Sequence, residues 1–154
     1  MKKYNIVLMT LLVLTFSVSL SSAAFDIPRY VYRIDQLQQA KDKAKADKKQ
    51  IVFLFSDERT SCIPSSKASL DIMQRFKNNS VIVYFGKENW AKAPQIVRDA
   101  INSPAAGVII PITFVVDTII KKVVSLIPYQ QGNPSDRYPQ ADFYLHPSTK
   151  TPRL

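Results

Sequence analysis

The chain of 154 residues has one cysteine, one histidine and 12 acidic residues against 21 basic ones. Each shortage removes a class of protein. A single cysteine, Cys62, excludes an internal disulfide framework and leaves three states for its thiol: buried and inert, paired with another molecule, or reactive. A single histidine, His146, has no second histidine or cysteine near it, so it does not make a metal site, and nothing in the chain calls for a cofactor. The apolar run from Ile6 to Leu20 falls short of the roughly twenty residues of a spanning helix, and Thr10, Thr15, Ser17 and Ser19 dilute it. No cysteine stands at the end of that run, so a lipoprotein anchor is not expected, and no internal repeat is present.

The start is more telling. Lys2 and Lys3, the apolar run and then Ser21-Ser22-Ala23-Ala24 match a secretory signal peptide over residues 1–24, cut after Ala23 or Ala24. The chain is therefore expected to be exported, periplasmic or secreted, and membrane attachment arises only if the leader stays uncleaved. The 130 residues that follow suffice for one domain, residues 25–127, with a tail over residues 128–154. That tail holds five of the ten prolines and three tyrosines and reads as largely irregular. Without the two leader lysines the net charge drops from +9 to +7. The lysines concentrate at Lys41, Lys43, Lys45, Lys48 and Lys49 and alternate with Asp42 and Asp47, the pattern of a solvated helix face rather than a nucleic-acid surface. Such a basic face could also associate the protein with an anionic surface.

Along the domain, Tyr30-Val31-Tyr32 reads as a short edge strand. Asp35 and Gln38 have capping-box spacing for a helix starting near Gln36 and ending near Lys48 or Lys49. Ile51–Phe55 and Val81–Phe85 are continuous apolar runs, as expected of strands covered on both sides. Between them, Leu70, Met73 and Phe76 mark a helix face, with Pro64 in its first turn. Trp90 to Ile101 reads as another helix, with Trp90 and the other aromatics in core or edge positions. Ile112–Val116 and Lys121–Ile127 read as an antiparallel pair, with Pro111 at the first strand's start. Pro111 and Asp117 argue against a membrane span there. This order implies an α/β fold with a mixed sheet and helices on both faces. Asp57 and Glu58 read as solvated loop acids rather than a catalytic pair, and Asn78-Asn79-Ser80 fits the glycosylation pattern.

Two stretches make the chain resemble the thioredoxin-like superfamily. One is the lysine-rich helix, the strand ending Phe55-Ser56 and Cys62-Ile63-Pro64-Ser65 opening a helix, where that family typically places Cys-x-x-Cys. The other is Ile110-Pro111-Ile112-Thr113-Phe114-Val115-Val116-Asp117, similar to the segment in which a cis-proline precedes a strand and faces the motif. The resemblance spans about Asp35 to Ile127 and is closest to the family's exported members. It implies a thioredoxin-like three-layer sandwich, Cys62 as candidate nucleophile, Ser65 at the resolving-cysteine position and Pro111 as candidate cis-proline. The chain departs from the family in a longer loop before Cys62, Ser61 in place of the usual tryptophan, Ser65 in place of the second cysteine, and Ile119-Ile120 in place of the hairpin glycine.

A thiol at a helix N-terminus is favoured as thiolate by the unsatisfied N–H groups and partial positive charge there. Arg59 and Lys67 flank it and Ser65 is placed to donate to the sulfur, while Asp57 and Glu58 oppose. Ser65 cannot resolve a mixed disulfide, so exchange at Cys62 needs a thiol from a client, a partner or a small molecule. Two readings stay open: monothiol thiol–disulfide exchange on a protein client, and a redox-inactive module binding a protein partner through the Pro111 region or the tail.

Overall fold

The computed structural model describes residues 25–129. The expected leader and, from residue 130, the expected tail lie outside the described residues. The elements run β1 (Tyr32–Arg33), a 3₁₀ turn (Ile34–Gln36), α1 (Leu37–Asp47), β2 (Gln50–Phe55), α2 (Ile63–Phe76), β3 (Ser80–Phe85), a 3₁₀ segment (Lys87–Lys92), α3 (Gln95–Ile101), a 3₁₀ turn (Pro104–Ala106), β4 (Ile112–Val116) and β5 (Val123–Ile127).

The five strands form one mixed sheet in the order β1-β3-β2-β4-β5. β3 lies parallel to both β1 and β2, while β4 runs antiparallel to β2 and β5 antiparallel to β4. The two apolar runs are explained by their position in the middle of this sheet. Ile51 and Phe53 of β2 join Val81, Val83 and Phe85 on one face; Val52, Leu54, Ile82 and Tyr84 line the other. Alternation of side chains with buried faces on both sides favours apolar side chains at successive positions of such strands.

The chain passes from β1 over β3 to β2, then returns from β2 to β3. Crossovers between parallel strands keep one hand, so a reversal of direction places successive helices on opposite faces. Accordingly α1 packs Ala40 and Ala44 on one face, α2 packs Ile72, Met73 and Phe76 on the other, and α3 returns Val97 to the first. The result is an α/β fold of helix, mixed sheet and helix layers. Phe25 and Val31 extend the α2 side of the core.

Several local expectations are corrected. The edge strand is Tyr32–Arg33 and shares only Tyr32 with the expected Tyr30-Val31-Tyr32. Asp35 and Gln38 do not form a capping box: Gln36 Oε1 accepts the Arg33 amide at 2.9 Å, Gln38 donates to Asp42, and Asp35 pairs with Lys92. The helix expected over 90–101 is broken, because Ala93 precedes Pro94 and is driven to extended backbone (φ −68°, ψ 145°), ending the 3₁₀ segment that holds Trp90 before α3 begins. Lys121 and Lys122 belong to the hairpin turn rather than to β5, their amides donating to Asp117 Oδ1 at 2.7 and 3.2 Å. Leu70 is 39% exposed and lies off the buried face of α2. That face is made by Ser65, Ser66, Ala68, Ser69, Ile72, Met73 and Phe76.

Candidate functional site

One end of the sheet gathers the residues singled out in the sequence. β2 ends at Phe55, which pairs with Phe85 at the end of β3 and with Ile112 at the start of β4. The loop leaving β2 carries the chain to Cys62, and Pro111 immediately precedes β4. Trp90 packs edge-on against Phe55, with ring centroids 6.0 Å apart, on the opposite face of the sheet from α2.

Cys62 is exposed and occupies the N-cap of the 14-residue α2, with extended backbone (φ −77°, ψ 98°) and no cap bond from its side chain. The sulfur is thus not spent on capping the helix. Pro64 in the first turn has no amide hydrogen and costs the helix start nothing. The Cys62 amide donates to Thr60 Oγ1 at 3.1 Å, and its carbonyl accepts both the amide (3.1 Å) and the hydroxyl (3.2 Å) of Ser66. The backbone of Cys62 is therefore held on both sides while the side chain faces solvent.

Ser65 is buried, and its hydroxyl donates to the Ile110 carbonyl at 3.2 Å. A hydroxyl carries one proton. The expected donation from Ser65 to the Cys62 sulfur is corrected: that proton is committed to the segment before β4. Pro111 is buried and the Ile110–Pro111 bond is cis. The bond from Ser65 brings the first turn of α2 against this segment, so Cys62, Ser65 and Pro111 lie at one end of the sheet. Asp57 and Glu58 do not act as a pair there. Asp57 Oδ1 accepts the Arg59 amide at 2.9 Å, whereas Glu58 reaches Arg33 through two bonds of 2.9 and 3.3 Å.

Below the loop runs a line of hydroxyls. Ser69 Oγ donates to the Ser65 carbonyl at 2.9 Å, so the 2.7 Å contact between Ser69 and Ser56 is made with the Ser56 proton. Tyr84 Oη donates to the Ser56 carbonyl at 3.2 Å and itself accepts the Glu58 amide at 2.9 Å. Burial pushes the Tyr84 phenol up, keeping it neutral and able to donate and accept together. Three large apolar side chains close in sequence to Cys62 or Pro111 are exposed: Ile63, next to Cys62, is 66% exposed, and Val108 and Ile109, preceding Ile110, are 97% and 58% exposed. Arg59 and Lys67 are exposed as well.

No protein-family model, curated protein or solved structure matches the chain.

Among the described residues no cluster of histidine, cysteine and carboxylate side chains could hold a metal ion, and no helix is long and apolar enough to cross a membrane. Sequence reasoning missed Ser69 and Arg33 and the roles of Ser56, Tyr84 and Glu58, the last expected only as a solvated loop acid. For the serines a signal existed: Ser65 and Ser69 continue the spacing of Ile72, Met73 and Phe76 along one helix face. For Tyr84 none did, because its hydroxyl partners lie 26 and 28 residues away.

Proposed function

We propose that this is an exported protein of thioredoxin-like fold whose Cys62 carries out monothiol thiol–disulfide exchange, with the resolving thiol supplied from outside the chain. The observation that carries the reading is the exposed Cys62 sulfur, uncommitted to capping, at the N-terminus of α2. A helix N-terminus stabilises an anion beside it. The fold supports the family assignment: three parallel strands, an antiparallel closing pair, helices on both faces, and a segment before β4 bonded to the first turn of α2. The leader motif supports export.

The reaction balances without a separate oxidant. Cys62 thiolate attacks one sulfur of a disulfide, forms a mixed disulfide and expels the other half as thiolate. A second external thiolate then attacks the sulfur bound to Cys62, regenerating the Cys62 thiolate and leaving a new disulfide. Ser65 contributes no electrons; it fixes the helix start against Ile110.

The test is the rate at which the folded protein forms a mixed disulfide with glutathione disulfide, followed by mass. It should exceed the rate of an unstructured peptide spanning Thr60–Ser66, and added thiol should reverse it. A folded protein slower than the peptide overturns the exchange reading. Export is checked separately: secreted protein should begin at Ala24 or Phe25.

A second reading, partner binding without redox chemistry, is favoured by the exposure of Ile63 and of the adjacent Val108 and Ile109, large apolar side chains left open to a partner. Under it, Cys62→Ala keeps partner binding and Val108→Asp abolishes it.

A further inference from the structure

We propose that Tyr84 is a positioning residue for Cys62: its single hydroxyl pins the loop between β2 and α2 and so sets how the thiol is presented. The loop leaves the sheet at Ser56, whose amide donates to Phe85 at 3.2 Å, and must reach the N-cap of α2 at Cys62. Tyr84, 2% exposed near the end of β3, spans its first turn from below. Its hydroxyl donates to the Ser56 carbonyl and accepts the Glu58 amide, so one oxygen holds both sides of Asp57.

From there the hold passes outward through short links. The Asp57 carbonyl accepts the Thr60 amide at 3.3 Å, and Thr60 Oγ1 accepts the Cys62 amide at 3.1 Å. Arg33 completes the clamp from the edge strand: it grips the Glu58 carboxylate, and its guanidinium carbon lies 5.9 Å from the Tyr84 ring centroid. The Arg33–Glu58 pair is partly exposed, and such pairs contribute little by themselves. The buried hydroxyl is the stronger element, because removing it leaves a carbonyl and an amide to find new partners.

The ring of Tyr84 is needed for the core whether or not its hydroxyl positions the loop; it packs edge-on to Phe25 with centroids 6.4 Å apart. The test therefore uses Tyr84→Phe, which keeps the ring, and reads the loop directly. Amide hydrogen exchange at Glu58 should accelerate about tenfold, the loss expected for one or two hydrogen bonds, while β3 amides keep their protection. The second readout rests on the thiol chemistry proposed for Cys62: the Cys62 alkylation rate, followed across a pH profile, should change by about threefold or more. Ile72→Val, which loosens the same core away from the loop, should change neither.

Unaltered Glu58 exchange and an unaltered alkylation profile in folded Tyr84→Phe overturn the inference, even if the wild-type protein exchanges disulfides well. Conversely, accelerated Glu58 exchange with no mixed disulfide in the wild type retains the clamp and rejects the exchange reaction. Should Tyr84→Phe fail to fold, the wild-type protein decides: a Glu58 amide exchanging as fast as an unstructured one overturns the clamp.

Discussion

Ser65 Oγ donates to the carbonyl oxygen of Ile110 at 3.2 Å, tying the first turn of α2 to the residue before Pro111 across 45 positions of sequence. The position that the family resemblance assigns to a second thiol is thus filled by a structural hydroxyl. Ser65→Ala should cost about 1 kcal/mol in a denaturant titration, the usual loss for a partly buried hydrogen bond. Ser65→Cys asks more. Residues three apart on a helix lie near the Cα separation a disulfide needs, so Cys62 and the introduced thiol should form an internal disulfide under mild oxidation. That variant should reduce an insulin disulfide in a full dithiol cycle that the parent cannot complete. Two free thiols after oxidation would show that the N-cap geometry of Cys62 is wrong for exchange.

Thr113 is 0% exposed, and among the described residues its hydroxyl has no hydrogen-bond partner. It sits on β4 between Leu54 of β2 and Ile127 of β5, both apolar. A buried hydroxyl without a partner carries its full desolvation cost. Thr113→Val should therefore stabilise the protein by about 1 kcal/mol, seen as a higher denaturant midpoint at unchanged slope. A lower midpoint would mean that the hydroxyl is satisfied.

The strands and the closing hairpin were legible in the sequence because continuous apolar runs buried on both faces admit few alternatives. The face of α2 was not. Hydropathy selects Leu70, yet Leu70 is exposed while Ser65, Ser66 and Ser69 are buried. These serines can go inside because they bond locally: Ser66 and Ser69 donate to the carbonyls of Cys62 and Ser65, four residues back. The place of Cys62 at the start of α2 followed from Pro64 in the first turn, but its exposure did not, because the loop before it could cover or uncover the thiol. The loop's attachment to Tyr84 did not, since a strand tyrosine shows only its apolar ring to a pattern search. The break at Pro94 was readable in principle from the restriction proline places on the residue before it.

Burial raises the phenols of Tyr84 and Tyr30 above the ordinary 10.0. Below pH 10 both are neutral in the folded and unfolded chains, and their contribution to stability is fully present. Above it, the unfolded chain loses its protons first, so stability falls as pH rises towards the folded-state values. Each group contributes a slope of at most about 1.4 kcal/mol per pH unit. Tyr84 is the more deeply buried and dominates. Tyr84→Phe should be less stable at pH 7 and lose stability less steeply above pH 10. Parallel alkaline limbs for the two proteins would remove Tyr84 as the cause.

Among the described residues, two other than glycine occupy the left-handed region, and burial should decide what each gains from glycine. Lys48 (φ 55°) follows α1, its amide donating to the Ala44 and Lys45 carbonyls, with its side chain in solvent. Left-handed backbone costs a side-chain-bearing residue about 1–2 kcal/mol, and glycine returns part of this in lost unfolded-state entropy. Lys48→Gly should raise stability by about 0.5–1 kcal/mol. Ile120 (φ 57°) stands in the hairpin between β4 and β5, and its side chain packs against the core on the α1 face. A β-branched residue is a genuine outlier there, held by the apolar contact it makes. Ile120→Gly trades that contact for relief of the backbone and should leave stability unchanged or lower. Thermal midpoints of the two variants should therefore move apart; an equal rise in both would mean that the packing of Ile120 contributes nothing.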